Sequence, residues 1–320
     1  MVSDVALEAN RDREAAPRRG GNMTTKFFVH QGNRIAYTRE GAGKPVLFLH
    51  NGGTSRDIWA HQAAALKSKY EVICLDHLGF GESDLPDSGY TMPEYVDALS
   101  AFIDHLGFER VSVVGNCMGS AMTLLLAQRR PEVFDALVLI NPLTHETARR
   151  GVIGLVMPAA ARLPRLSLAV ASRIRVPKLL TRFVVVAQYG PRGWKTGTFT
   201  NLPGASRAGA GWNTRGRLRT MAELFADTSA LSEIDRMRPG AQFPPFATVW
   251  GNANLGLSPR AGRDLNRTLR PDREVFLKGC GHLPMMENPE AVTTIIDEFL
   301  GSPPLRRSPV VASAPALEMS

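Results

Sequence analysis

Residues 113–120 read VVGNCMGS, an apolar strand that runs directly into a helix through the pattern Gly-x-Cys-x-Gly. A nucleophile on such a sharp turn needs small residues two positions before and two positions after it, because strand and helix approach closely there. Cys117 is the apex of this turn and would lie at a helix N-terminus, where unpaired N–H groups and the helix dipole favour a thiolate. The pattern predicts a strand–turn–helix unit with Cys117 as nucleophile.

Apolar runs of strand length lie before and after this turn and alternate with helical patterns. Such alternation is typical of a mostly parallel sheet with helices wound over both faces. Several runs lack alternating polar residues, as strands covered on both faces do. We predict eight strands, the first two forming a hairpin around Gly32-Asn33; they span residues 26–30, 34–38, 46–49, 71–75, 110–114, 136–140, 246–250 and 273–277.

Two helices have clear start signals. Thr91 and Glu94 form a capping-box pair with Pro93 in the first turn, and apolar residues follow at helical spacing. Asn288 and Pro289 open the last helix, whose apolar side chains repeat that spacing. Both patterns predict helices that serve as scaffold.

Composition divides the chain into a core, an insertion and two ends. Residues 1–24 are polar without an apolar period, and residues 302–320 are interrupted by prolines, so we predict a flexible N-terminal arm and C-terminal tail. Residues 25–141 and 241–301 carry the strand–helix alternation of the core. In the insertion, 142–240, the alternation stops. This segment is helical in places and contains sixteen basic against five acidic side chains, a net charge of +11.

The overall composition excludes several protein classes. Apolar residues make up 44% and charged residues 21% of the 320 residues, which is ordinary globular usage. No apolar stretch reaches the roughly 18 residues that cross a bilayer. Three cysteines are too few for a disulfide framework, and the N-terminus lacks the apolar run of a signal peptide, so we expect a cytoplasmic protein without a membrane span. The net charge of +8 favours anionic partners.

Three glycine-rich loops follow predicted strands. Residues 50–54, HNGGT, can aim a backbone N–H at a developing oxyanion. Residues 76–83, DHLGFGES, form a second glycine-rich turn after a strand. Residues 279–283, GCGHL, follow the last strand and place His282 in a loop, where a histidine near glycines has no packing role.

These loops and the turn at Cys117, each preceded by a strand and in this order, resemble the α/β-hydrolase superfamily over residues 26–301. The resemblance implies a nucleophile at Cys117 and a general base at His282. It also implies an oxyanion hole formed by the N–H groups of Gly52 and Met118.

The same resemblance implies an α/β fold in which a mostly parallel, doubly wound sheet carries the insertion 142–240 as a helical, basic lid. Residues 50–59, HNGGTSRDIW, are most similar to the group of haloalkane dehalogenases and epoxide hydrolases. Members of that group use Asp at the turn, so their alkyl-ester chemistry is not expected with Cys117. Cysteine is a minority nucleophile in the superfamily, known from dienelactone hydrolases and polyhydroxyalkanoate synthases.

The third member of the catalytic set departs from the family pattern. Relatives place an acid in a Trp-Gly-x-x-Asp pattern, but residues 250–254 read WGNAN, so the position holds Asn254. The other place for the acid, at the end of the preceding strand, is Asn141, and Glu146 beyond it is the substitute acid. A Cys–His pair can exist as thiolate and imidazolium, and an amide then suffices to orient the ring. We predict Asn254, with Asn141 and Glu146 as alternatives.

Each site residue also has a simpler interpretation. Cys117 could be a buried, small apolar side chain, or a cysteine introduced in place of serine. Asn254 could be a turn-forming residue that never meets His282. We expect His50 and His77 to tie their own loops, with no role in the reaction.

These features predict acyl transfer through a thioester on Cys117, by a thioesterase, esterase, acyltransferase or cyclase of secondary metabolism. The substrate would be a small acyl molecule, and the basic insertion suggests that coenzyme A or an acidic acyl carrier protein carries it. No nucleic-acid partner is expected. No HExxH, CxxC or GxGxxG pattern in a suitable setting indicates a metal or an organic cofactor.

Two other classes of function stay open. One is a lyase that expels a carboxylic acid such as acetate from an acetylated polyketide, as tetronate-forming relatives do. Loss of the triad carboxylate suits such chemistry, which needs a base but no hydrolytic water. The other is a non-catalytic binding protein on the same fold, although the intact turn at Cys117 and the loop at His282 favour an enzyme.

Overall fold

Eight strands form one sheet in the computed structural model, which describes residues 24–155, 157–177, 186–197, 214 and 216–302. The strands are β1 (Lys26–His30), β2 (Asn33–Glu40), β3 (Lys44–Leu49), β4 (Tyr70–Leu75), β5 (Val111–Asn116), β6 (Phe134–Ile140), β7 (Phe246–Gly251) and β8 (Arg273–Leu277). Each lies where the sequence predicts a strand, with ends that shift by at most two residues. The predicted strand pattern is confirmed.

The order of the strands in the sheet is β1-β2-β4-β3-β5-β6-β7-β8. β1 and β2 form the predicted hairpin, β2 pairs antiparallel with β4, and all other neighbours are parallel. The chain adds β4 on one side of β3 and β5 on the other, so the direction of winding reverses between β3 and β5. Ligands bind at the carboxyl ends of the strands at such a reversal. Cys117 and the loop after β3 both lie there.

Helices cover both faces of the sheet. They are α1 (Ala60–Leu66), α2 (Met92–Leu106), α3 (Met118–Arg129), α4 (His145–Arg149), α5 (Met157–Arg162), α6 (Pro164–Arg173), α7 (Pro191–Thr196), α8 (Arg217–Ala226), α9 (Ser229–Arg236), α10 (Pro259–Leu269), α11 (Pro284–Glu287) and α12 (Pro289–Gly301). Short 3₁₀ turns lie at Arg56–Trp59, Pro131–Val133 and Val152–Leu155. α2 begins with the predicted capping box, in which Thr91 and Glu94 each accept the other's backbone N–H. It ends at Gly107, whose φ of 71° suits glycine.

Two apolar layers, one on each face of the sheet, hold the helices in place. One layer contains Leu99 and Phe102 of α2 and Leu124 of α3, all buried. The other contains Trp59 and, from α12, Ile296 among its buried side chains. Because β5 is buried at every position, its side chains contribute to both layers. The doubly wound α/β sheet expected from the sequence is confirmed.

The described parts of the insertion contain α4 to α9. Residues 156, 178–185, 198–213 and 215 of the predicted lid lie outside the described residues, as do the predicted arm up to residue 23 and the tail from residue 303. Several bases of the insertion pair with acids: Arg149 with Glu146, Arg150 with Asp264 and Arg219 with Asp87. No helix in the described chain is long and apolar enough to cross a bilayer.

Candidate active site

The turn from β5 into α3 forces Cys117 into an unusual backbone conformation, with φ 51° and ψ −105°. The flanking glycines make this possible, because a Cβ on Gly119 would lie 2.6 Å from Leu49 O, and one on Gly115 would lie 2.6 Å from the Gly119 carbonyl carbon. Non-glycine residues with positive φ cost about 1–3 kcal/mol and persist where the surroundings impose them. The strand–turn–helix unit therefore carries Cys117 at a strained apex.

The surroundings of Cys117 keep its thiol neutral. The residue is 6% exposed, and burial raises the pKa of the thiol to about 12, although a hydrogen bond from Met118 N–H opposes this effect. The expectation of a thiolate at the helix N-terminus is therefore wrong for the resting protein. Desolvation outweighs the favourable contribution of the N–H groups.

His282 lies in the loop after β8, next to the turn that carries Cys117. Its carbonyl oxygen accepts from Asn116 Nδ2 at 3.4 Å, and Asn116 directly precedes Cys117. Burial lowers the pKa of His282 to about 4, so the ring is neutral near pH 7. Among the described residues, no hydrogen bond joins the ring to Cys117 Sγ. Both side chains are therefore neutral near pH 7.

Asn254 lies against the His282 ring. Its Nδ2 is 3.1 Å and its Oδ1 is 3.3 Å from His282 Nδ1, while Oδ1 also accepts from Leu257 N–H at 3.1 Å. The amide can hold Nδ1 in either protonation state, as donor or as acceptor. Only the arrangement in which Nδ1–H donates to Oδ1 leaves Nε2 free to take a proton.

The two alternative orienting residues lie elsewhere. Asn141 donates from Nδ2 to the carbonyl oxygen of His282 at 3.2 Å and accepts Gly251 N–H at 3.0 Å, so it fixes the backbone of the loop and not the ring. Glu146 is bound to Arg149 at 2.7 Å. Of the three candidates, Asn254 is the one in contact with the ring.

The loop after β3 lies opposite Cys117 across the site. Gly52 N–H donates to no acceptor among the described residues. A Cβ on Gly52 would lie 2.9 Å from Met221 Sδ and 3.9 Å from Met118 Sδ, so the glycine is in close contact with helix α8 and with the residue after the nucleophile. The loop is fixed by Asn51, whose Oδ1 accepts from Thr54 Oγ1 at 2.7 Å.

A network of buried polar side chains holds this loop in place. His50 Nε2 accepts from His77 N–H at 3.0 Å, and His77 Nε2 donates to His50 O at 3.0 Å. Asp76 binds the side chain of Arg56 and accepts its backbone N–H at 2.7 Å. The expectation that His50 and His77 tie their own loops agrees with these contacts.

Glu287 and Gln188 also belong to the site, and sequence reasoning missed both. The buried Glu287 carboxylate accepts Gly281 N–H at 2.7 Å and Gly190 N–H at 2.8 Å, so it joins the His282 loop to the insertion. Gln188 O accepts His282 N–H at 2.7 Å. A signal for Glu287 exists in the sequence, because it is the one acid in the run LPMMEN.

The other two cysteines are buried. Cys74 lies in β4, and Cys280 lies two residues before His282, with burial raising the pKa of each thiol to about 12. No group of three His, Cys, Asp or Glu side chains in the described chain could hold a metal ion.

Comparison with known proteins agrees with this architecture. A family model described as alpha/beta hydrolase fold matches residues 44–289, which include Cys117 and His282. A Mycobacterium tuberculosis protein without an assigned activity is 23% identical over 305 residues, 90% of this chain and 83% of that protein. Haloalkane dehalogenase 2 of M. tuberculosis is 30% identical over 118 residues, 37% of this chain and 41% of its own length.

Among solved structures, a thermophilic esterase from Thermogutta terrifontis matches with a TM-score of 0.69 at 21% identity, covering 91% of this chain and 98% of the esterase. That likeness shows the fold. The resemblance predicted from the sequence is confirmed by the family match, which covers more than half of the chain and supports an enzyme of hydrolase type. The chain therefore belongs to the α/β-hydrolase fold family.

Proposed function

We propose that the protein transfers acyl groups through a thioester on Cys117. The observation that carries this proposal is the combination of a cysteine at the strained apex of the β5–α3 turn with a histidine–amide pair beside it. Strain of this kind persists at sites where a side chain must be presented to a ligand. Gly52 and Met118 would supply the N–H groups that hold the oxyanion.

The neutral state of the pair determines the first step. Cys117 Sγ attacks the carbonyl carbon of an ester or thioester while His282 Nε2 takes the thiol proton, and the carbonyl π electrons move to the oxygen. The bond to the leaving group then breaks, and the imidazolium returns the proton to the departing oxygen or sulfur. In the second half, His282 Nε2 takes a proton from the acceptor, which is water, an amine, a thiol or a carbon acid, as the acceptor attacks the carbonyl carbon of acyl-Cys117. The C–S bond then breaks, and the imidazolium returns that proton to Sγ.

The charge of the insertion supports an anionic carrier for the acyl group. Coenzyme A and acyl carrier proteins are anionic, and Arg165 and Arg173 on α6 are exposed. Pairing of Arg149, Arg150 and Arg219 with local acids lowers the effective charge. The exposed bases of α6, together with Lys195 on α7, would then meet such a carrier.

Elimination of a carboxylic acid is the second candidate, and Asn254 favours it. An amide in place of a carboxylate leaves His282 without an anionic partner, which suits a reaction that needs a base but no activated water. A neutral base of this kind can remove a proton next to a carbonyl without activating water. Cys117 would then have no covalent role.

Rapid quenching during turnover of p-nitrophenyl acetate, followed by intact mass and peptide mapping, separates the two candidates. Acyl transfer predicts protein heavier by one acetyl group on Cys117, absent in Cys117→Ala and retained in the control Cys280→Ala. For elimination, a β-acetoxy ketone deuterated at the α carbon would react with a primary isotope effect and without any acyl adduct. That second result would replace the acyl-transfer proposal.

A further inference from the structure

Arg217, the first residue of α8, is a buried cation, and two of its guanidinium nitrogens donate to no acceptor in the described chain. Arg217 as a whole residue is 6% exposed. Among the described residues, Nε and Nη1 have no hydrogen-bond acceptor. The guanidinium lies over the Phe80 ring, with Cζ 5.6 Å from the ring centroid, which is a weak contact compared with an ion pair.

The acids and hydroxyls around Arg217 are already engaged. Asp76 contributes to the field at Arg217 but is bound to Arg56. The Tyr90 hydroxyl donates to Pro86 O at 2.6 Å, and the Tyr95 hydroxyl donates to Leu78 O at 3.1 Å. A guanidinium that is removed from water without an acceptor costs stability, because neither hydration nor pairing offsets its desolvation.

Arg219, two residues further along the same helix, is paired with an acidic side chain. Its Nη1 donates to Asp87 Oδ1 at 2.6 Å, although its Nε is also buried without an acceptor. Arg219 is therefore a paired arginine, while the charge of Arg217 has no such counterion in the described chain. The contrast shows that Nε and Nη1 of Arg217 offer hydrogen-bonding capacity that the described chain does not use.

The position of Arg217 relative to the oxyanion loop identifies where a ligand of Arg217 would lie. Met221 follows Arg217 by four residues, so the two side chains share one face of α8. Met221 Sδ lies against Gly52, 2.9 Å from the place of a Cβ. The charge of Arg217 also acts on His50, two residues before Gly52. Arg217 therefore lies one helical turn from the side chain that contacts Gly52.

We propose that Arg217 binds a carboxylate on the acyl substrate, through Nε and one Nη in the bidentate geometry that a planar guanidinium offers. The substrate class is then an acyl ester or thioester with a free carboxylate near the reacting carbonyl, for example a half-ester of a dicarboxylic acid. This inference rests on the proposed acyl transfer, because it assigns the carbonyl of the same molecule to Cys117 and Gly52.

A pair of matched esters tests the proposal. p-Nitrophenyl hemiglutarate carries the carboxylate, and methyl p-nitrophenyl glutarate has the same chain without the charge. The native protein is expected to prefer the hemiglutarate in kcat/KM by at least about 10-fold. Arg217→Met is expected to raise KM for the hemiglutarate by about 10- to 100-fold, the range for losing a hydrogen bond to a charged group, and to remove the preference. Arg219→Met is the control and keeps it.

A second measurement separates this inference from the proposed function. Sodium glutarate is expected to raise the unfolding temperature of the native protein and of Arg219→Met, but not of Arg217→Met, whether or not either ester is turned over. Stabilisation by glutarate without any acyl-Cys117 would support the anion site and overturn acyl transfer. Acylation of Cys117 with equal rates for both esters and no effect of glutarate would overturn the role of Arg217 alone.

Discussion

At the scale of single residues, burial lowers the pKa of His282, and the neutral amide of Asn254 supplies no charge that would oppose this effect. A carboxylate at this position would stabilise the imidazolium, whereas an amide cannot, and the pKa of His282 stays at about 4. In the proposed mechanism His282 acts as the base when it is neutral, so the activity is present above that pKa and lost as the pH falls through it. The native protein is expected to keep its activity down to about pH 5.

Asn254→Asp should raise the pKa of His282, because an adjacent carboxylate favours the charged ring by about one to three pH units. The acidic limb of the profile of kcat/KM against pH then moves to higher pH. Asn252→Asp, on an exposed neighbour, controls for the added charge. An unchanged acidic limb in Asn254→Asp would mean that Asn254 does not contact the ring during turnover.

The thiol of Cys117 should react slowly with iodoacetamide near neutral pH. With a pKa of about 12, only a small fraction is thiolate, and that fraction increases tenfold for each pH unit. Peptide mapping after timed alkylation is expected to show a rate that rises from pH 7 to pH 10 without a plateau. A plateau near pH 7 would indicate a preformed thiolate–imidazolium pair and contradict the neutral resting state.

At the scale of elements, the packing of α3 against β3 depends on Gly119. A Cβ there would lie 2.6 Å from Leu49 O and 2.7 Å from Leu49 Cβ, and backbone cannot move aside as a flexible side chain can. Gly119→Ala should therefore lower the free energy of unfolding by about 1–3 kcal/mol. Urea denaturation measures the change. Gly240→Ala, where a Cβ meets nothing within 4 Å, is the control with a change below about 0.5 kcal/mol.

The elements were predictable because their signals are local. Thr91 and Glu94 mark the start of α2 within four residues, and the apolar run before Cys117 marks β5 directly. The ends of strands were less certain: β6 begins at Phe134, two residues before the predicted start. Asp135 in its second position is a weak strand former, and it is the pairing with β5 that extends the strand.

At the scale of the whole molecule, contacts between distant segments escaped prediction. Glu287 meets Gly190 across 97 residues of sequence, and Arg217 meets Phe80 from another element altogether. A single sequence contains no signal for such pairs. The sequence located the loops that contain Cys117, His282 and Gly52 because each loop follows a strand. Parallel strands end at one edge of the sheet, so these loops meet there.

Glu287→Gln should destabilise the protein and impair turnover together. Glutamine has one acceptor oxygen in place of two, so either Gly281 N–H or Gly190 N–H loses its partner and faces a donor. We expect a loss of about 1–3 kcal/mol in the free energy of unfolding and a lower kcat. Glu290→Gln, exposed at the start of α12, is the control for denaturant titration and steady-state rates. Full turnover in Glu287→Gln despite its lower stability would show that the carboxylate does not position His282.

The bond from His282 N–H to Gln188 O has a consequence for the order of events in a catalytic cycle. Gln188 and Gly190 belong to the insertion. Together with Glu287, these two residues fix the loop that contains His282. Displacing this part of the insertion would break the bond from His282 N–H to Gln188 O, so in the proposed acyl transfer His282 is held for the reaction only while this part is in place. In the proposed acyl transfer, water that entered with this part of the insertion displaced would meet acyl-Cys117 without a positioned base, so the acyl group would be protected until the acceptor is enclosed.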